Sequence, residues 1–204
     1  MANTKKRVGI LISGRGSNML SLIAAARDPA FPAEIVCVLS NRPEAEGLRN
    51  AQSAGIRAHA IDHAHFKSRT EFEAELDKAL GEAGVDLVAC AGFMRLMTRA
   101  FVERWRDRML NIHPSLLPAF PGLHTHERVL AAGVKITGCT VHFVDELLDA
   151  GPIVLQAAVP VLDQDTPQSL SARILLEEHR IYTEGIRIVL SDRWRIEGRR
   201  VITW

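Results

Sequence analysis

The sequence predicts an α/β protein: an open, mostly parallel twisted sheet with helices on both faces and a short C-terminal hairpin. The unbroken apolar run at 8–12, and the run 87–91 that follows Asp86 in the stretch 85–91, have the composition of strands buried on both sides, where alternation would mark a half-exposed strand. Stretches of helical period lie between the apolar runs, so strands and helices alternate as a doubly wound sheet requires. The first run leads through Ser13-Gly14-Arg15-Gly16-Ser17-Asn18 into a helix, giving a strand, glycine loop and helix unit.

Residues 8–12 are the first strand and residues 19–27 the first helix, which is ended by Asp28-Pro29. The loop between them offers the free N–H groups and positive dipole end of a helix start, with glycines that let a phosphate approach the backbone. It is neither of the two common nucleotide fingerprints. A dinucleotide motif begun at Gly14 needs a third glycine where Met19 stands, and an acidic residue where Leu39-Ser40-Asn41-Arg42 ends the second strand. A P-loop needs Gly-Lys-Ser/Thr where Met19-Leu20 stands. On spacing alone the loop is either a site for one phosphate on a small metabolite or a tight turn that binds nothing.

The second strand is placed at 34–39, a helix at 44–53 closed by Gly55, and the third strand at 58–61. His63 and His65 flank Ala64 in a loop and are read as solvated side chains in preference to a metal pair. Ser68-Arg69-Thr70-Glu71 opens the next helix with a capping-box pattern. Arg69 stands at a helix start, where a cation gains nothing from the dipole, and by itself is a surface residue. The fourth strand, 85–91, ends in Gly92-Phe93-Met94-Arg95-Leu96-Met97. Bulky, flexible apolar residues at a strand's carboxyl end suit the wall of a heterocycle pocket, although core packing explains the same pattern. A short helix at 98–106 leads to a fifth strand at 109–113.

That fifth strand carries the residues around which the chain is organised. Asn111 and His113, two apart in an extended chain, fall on the same side and can meet one substrate atom together. Pro114 lacks an N–H and holds His113 in extended geometry, so the imidazole sits at a strand's carboxyl end, where open α/β sheets place ligands. A strand-end histidine satisfied by backbone is the plain alternative; the pairing with Asn111 and the Pro-rich loop favours catalysis. Beyond it come a helix at 125–132, strands at 137–144 and 153–159 with an acidic loop between them, an amphipathic helix from 169 to about 190, and a hairpin of 194–197 with 199–202. His124 and His126 straddle Thr125 as capping residues, and His142 lies in a strand with its ring inward or outward; none is taken as a ligand.

At 204 residues and 47% apolar content the chain is sized for one domain, 1–204, with a sizeable core. Lys and Arg number 25 against 24 Asp and Glu, a formal charge of +1 with no basic run interleaved with aromatics, which argues against nucleic acid as a partner. Cys37, Cys90 and Cys139 sit apart in apolar runs, without metal or disulfide spacing, and read as reduced core residues. Lys5-Lys6-Arg7 ahead of an apolar run mimics a signal peptide, yet the run breaks at Ser13-Gly14 and is a strand. No segment approaches the roughly 20 apolar residues of a membrane span. A soluble, cytoplasmic monomer or homodimer that meets no membrane is expected.

Residue by residue, Asn111, His113, Ser115-Leu116-Leu117-Pro118 and Phe120-Pro121-Gly122-Leu123-His124 resemble the core of the folate-dependent formyltransferases, in particular the branch that acts on a purine precursor. The likeness runs from Ser13 to about Tyr182, and its most specific parts are 111–124 and 13–18. It implies a Rossmann-like formyltransferase fold and, without a metal, transfer of a formyl group from the co-substrate 10-formyltetrahydrofolate to the amine of 5-phosphoribosylglycinamide in de novo purine (IMP) biosynthesis. Such a transfer needs a neutral amine held beside the formyl carbon, hydrogen bonds to the oxygen that becomes negative, and a proton moved between two nitrogens. Asn111 and His113 can supply these, because an unperturbed imidazole titrates at about 6.5. No Cys or Ser lies in a nucleophile motif, so direct transfer is the simpler expectation.

The same resemblance assigns further residues. Gly16, Ser17 and Asn18 match the loop that holds the phosphoribosyl substrate, and Glu178 matches a glutamate that contacts its ribose. Arg69 falls where an arginine meets the folate's acidic tail, while Met94, Arg95, Leu96 and Met97 line the pterin pocket, largely through backbone groups. Asp149, counted back from Gly151-Pro152, matches an aspartate that favours the protonated imidazole. The family pattern Thr-Asp-Glu-x-Asp is shifted here, so Asp145 and Glu146 either crowd the site or face solvent. Leu175 replaces a residue that is often polar near the phosphate.

Two relatives share the catalytic strand. A formyltetrahydrofolate hydrolase carries an N-terminal regulatory domain, and Val8 begins the first strand too early for one. Methionyl-tRNA formyltransferase carries a C-terminal RNA-binding domain, a basic surface and an arginine-bearing loop, whereas this chain has balanced charge, Phe120-Pro121-Gly122 in the loop, and its last residue at Trp204. A non-catalytic binder of phosphorylated metabolites would have no use for Asn111, His113 and Asp149 together.

Overall fold

The computed structural model describes residues 5–204. Two compact units divide the chain, one ending at Leu110 and the other starting at Asn111. The first contains β1 (Lys6–Ile12), α1 (Ser17–Ala26), β2 (Ala33–Ser40), α2 (Glu46–Ser53), β3 (Ala58–Ala60), a 3-10 turn (His63–His65), α3 (Arg69–Glu82), β4 (Leu87–Cys90) and α4 (Arg99–Arg104). After β5 (Met109–His113) the second contains α5 (Thr125–Ala131), β6 (Ile136–Phe143), β7 (Ile153–Pro160), α6 (Pro167–Leu190), β8 (Trp194–Glu197) and β9 (Arg200–Thr203). The strand order is β3-β2-β1-β4-β5-β6-β7-β9-β8. Pairings of β1 with β2 and β4, and of β2 with β3, are parallel, whereas β6 with β7 and β8 with β9 are antiparallel. The mostly parallel sheet, its helices and the closing hairpin are those the sequence predicts.

The apolar runs are strands because they have no polar face to give to water. Val8, Ile10, Leu11 and Ile12 of β1 and Val88 and Ala89 of β4 are fully buried. In the second unit α6 packs on β6 and β7 and buries Leu170, Ile174, Ile181, Tyr182 and Ile186. All three cysteines are buried thiols, and burial pushes them up, Cys37 to about 11 and Cys90 and Cys139 to about 12. Among the described residues no helix is long and apolar enough to cross a membrane.

Element ends move by at most two residues from expectation. α6 begins at Pro167 rather than Ser169, because Thr166 and Ser169 cap each other reciprocally and Pro167 suits the first helical position. Asp165 anchors that end by accepting from Arg173 Nη1 and Nη2 at 2.7 and 2.8 Å, and the guanidinium holds its carboxyl well below the usual range. At α3 the Ser68 hydroxyl accepts from Glu71 N at 3.1 Å, but the Glu71 carboxylate reaches Lys67 N, one residue beyond the cap. His63 is half-buried and its Nδ1 donates to the Asn41 carbonyl at 2.7 Å, so only His65 is a solvated side chain.

Candidate active site

At the end of β5 the alternation of an extended strand brings Asn111 and His113 to one side, and both reach the same aspartate region in the second unit. His113, 6% exposed, points Nδ1 at Asp149 Oδ2, 3.4 Å away, and donates from Nε2 to the Phe120 carbonyl at 2.9 Å. Asp149 Oδ2 also accepts the Gly122 N–H at 2.8 Å, which fixes the carboxylate against the Pro-rich loop. The loop is itself stapled down. Thr140 Oγ1 donates to Ser115 O at 2.7 Å and accepts from Leu117 N at 3.1 Å, while Gln156 Nε2 reaches Leu117 O at 2.9 Å. Phe120, His124 and Asp149 have positive φ of 53, 55 and 51° without being glycine, a strain that the surrounding bonds hold in place.

His142 completes this cluster, and sequence reasoning did not select it. Its Nδ1 lies 2.9 Å from the Phe143 carbonyl, an acceptor only, so Nδ1 carries the hydrogen and Nε2 is left as the acceptor. Asn111 Nδ2 then donates to that Nε2 at 3.3 Å, which fixes the direction of the Asn111 amide. Asp149 Oδ1 stands 3.8 Å from the same nitrogen. Burial lowers the His142 pKa, against the Phe143 carbonyl and Asp149, which raise it, so the ring is the neutral acceptor this geometry requires. A signal was available: Thr140 and His142, two apart in a strand, share the face that meets β5 and its loop.

His124 takes the N-cap position of α5, but no side-chain bond caps the helix; the left-handed backbone replaces the extended one from which capping side chains reach. His126 lies inside α5 with Nδ1 buried and unpartnered, and burial lowers its pKa. Asp145 Oδ1 accepts from Leu147 N at 3.0 Å, shaping the loop, and Glu146 is exposed, so neither crowds His113. Glu178 is 8% exposed on α6 and lies near enough to raise the buried Cys139 thiol. Leu175 is half-buried on the same helix. Among the described residues no group of three or more His, Cys, Asp or Glu could hold a metal.

In the first unit, Gly16 is the N-cap of α1 with φ 76°, and no side-chain hydrogen bond caps the helix there. Gly47 N donates to Gly14 O at 3.0 Å, and the lack of a side chain at 47 is required: a Cβ there would lie 2.5 Å from Ile12 Cδ1 and 2.9 Å from Gly14 O. Arg69 is exposed at the start of α3. Segment 92–97 has no regular structure, with Met94 and Leu96 61% and 56% exposed and Arg95 lying over the Phe72 ring at 5.4 Å. Beside these exposed apolar side chains, Arg95 Nε is buried and has no hydrogen-bond partner.

Residues 6–186 match the formyl transferase family. The chain belongs to that family. Phosphoribosylglycinamide formyltransferase of Escherichia coli (strain K12) is 42% identical over 190 residues, 93% of this chain and 87% of its own. The trifunctional purine biosynthetic protein adenosine-3 of Bos taurus is 48% identical over 200 residues, 98% of this chain; the chain spans only 20% of that relative's length. The crystal structure of glycinamide ribonucleotide transformylase 1 from Symbiobacterium toebii has a TM-score of 0.96 at 49% identity, covering 100% of this chain and 95% of the other.

Proposed function

We propose that this formyl transferase moves a formyl group from 10-formyltetrahydrofolate to the amine of 5-phosphoribosylglycinamide, in de novo purine biosynthesis. One observation carries the reading: in a member of this family, Asn111, His113, His142 and Asp149 converge at the carboxyl end of one strand. The folate supplies an activated formyl carbon when bound. Asn111 has one amide hydrogen committed to His142 and offers the other to the formyl oxygen as negative charge develops there. His113 gives its Nε2 hydrogen bond to the same region; the Nε2 proton passes to the leaving nitrogen, and the nitrogen so freed takes the proton released by the attacking amine. Asp149 meets the positive charge that passes through the ring.

The binding roles divide by ligand. Gly16, Ser17 and Asn18 hold the substrate phosphate, with Glu178 on the ribose; Arg69 and segment 94–97 hold the folate. Both partners are small molecules, and the chain works in the cytoplasm as a monomer or homodimer. The test is folate absorbance with both substrates and with the amine left out. Turnover that requires the amine supports the transfer. Turnover without it indicates a hydrolase, and none with either contradicts the reading.

A further inference from the structure

Two buried side chains outside segment 92–97 hold it from both ends. At the front, Met94 N donates to Ser13 Oγ at 2.7 Å, and Ser13 Oγ donates in turn to Asn41 Oδ1 at 2.6 Å. Met94 N only donates and Asn41 Oδ1 only accepts, so the hydroxyl takes the first bond through a lone pair and gives its one hydrogen to the second. Ser13 N also donates to Gly92 O at 3.0 Å, so one residue grips the turn twice. Ser13 and Asn41 are 5% and 2% exposed, which keeps water from competing for these bonds. At the back, Glu73 of α3 is 3% exposed and accepts both the Thr98 N–H, at 2.7 Å, and the Thr98 hydroxyl. Thr98 in turn caps α4.

An irregular segment has no helix or strand bonds to define its path, so its shape depends on such outside partners. Recognition through backbone groups tolerates only about 0.5 Å of error. Helix α3 contributes three times over: Arg69 at its start, Phe72 beneath Arg95, and Glu73 one turn on from Arg69. We propose that Ser13 and Glu73 are positioning residues for the folate-binding segment, acting through Met94 and Thr98 without touching the folate. This rests on the assignment of that segment to the folate. The glycine loop that Ser13 opens is braced separately by Gly47, so phosphate binding is spared.

The test is equilibrium binding to the full chain, with tetrahydrofolate and ribose 5-phosphate as probes and melting temperature as a check on folding. Ser13→Ala and Glu73→Ala should each weaken tetrahydrofolate about 3- to 10-fold, the worth of one or two hydrogen bonds, and leave ribose 5-phosphate within about 2-fold. Ser13→Thr and Glu73→Gln, which keep a hydroxyl and an acceptor, should recover most of the loss. If Glu73→Ala fails to fold, the Ser13 pair decides alone. Unchanged tetrahydrofolate affinity in Ser13→Ala overturns the proposal, as does an equal loss of both ligands, the mark of a general structural role. A parent chain that does not bind tetrahydrofolate removes the underlying folate assignment instead, a result distinct from the other two.

Discussion

His113 donates from Nε2 to the carbonyl of Phe120 at 2.9 Å, so the ring nitrogen turned away from Asp149 is engaged by the chain's own loop. Phe120 sits at φ 53°, and the Ser115 hydroxyl also reaches its carbonyl, at 3.2 Å. A substrate oxygen that takes the place of this carbonyl inherits a hydrogen bond already aimed, with Asp149 and Gly122 holding the opposite side of the ring.

Asp149→Asn separates charge from shape. Asparagine keeps an acceptor for Gly122 N and tolerates the left-handed backbone at φ 51°. The variant should fold with nearly the parent's melting temperature while kcat falls about 10²-fold, since proton handling by His113 loses its counter-charge. Steady-state kinetics beside thermal melts check this; a parent-like kcat would show that the carboxylate serves only the loop.

His142→Phe fills the same space without an acceptor for Asn111. The amide then turns freely, and kcat should drop about 10-fold, the equivalent of one hydrogen bond of roughly 1.4 kcal/mol, with KM for the phosphorylated amine little changed. A drop in KM's favour and none in kcat would mean that Asn111 is oriented by other contacts.

Acid should destabilise the fold through its buried histidines. Burial lowers the pKa of His126, His142 and His179 below 6.5 in the folded chain. The unfolded chain therefore binds more protons as pH falls, so the contribution is fully present above about 6.5 and is lost progressively below it. Melting temperature is expected to decline from pH 7 toward 5, with a shallower slope in His142→Phe; a flat profile would contradict the neutral assignment of these rings.

Gly47→Ala tests the brace behind the glycine loop. The added methyl meets Ile12 and the Gly14 carbonyl, and the loop must move. Ribose 5-phosphate affinity should fall about 10-fold and stability by about 1–3 kcal/mol. Gly81→Ala is the contrast: nothing lies within 4 Å of its Cβ, and in a helix it should stabilise by about 0.5–1 kcal/mol. Equal behaviour of the two variants would remove the argument from close approach.

What was legible in the chain was periodic. The two-residue spacing of Asn111 and His113 set a face, Pro114 set an end, and unbroken apolar runs set the buried strands. His142 was missed because alternation gives a residue's face but not the partner across the sheet; the amide of Asn111 had to be seen against it. Ser13 was legible as the entry to a glycine loop, not as the support of a segment some 80 residues away. The helix start at Thr166-Pro167 carried a readable cap that a purely amphipathic pattern overlooked. Glu71 failed to complete a capping box because a longer reach to Lys67 N satisfied it first.

The most direct test of the account is the single-turnover rate of formyl transfer from 10-formyltetrahydrofolate to phosphoribosylglycinamide in the parent chain and in His113→Ala, both at saturating substrates. The cluster at the end of β5 predicts a loss of about 10²- to 10⁴-fold in the variant with both ligands still bound. A rate within a few-fold of the parent's would place the chemistry elsewhere.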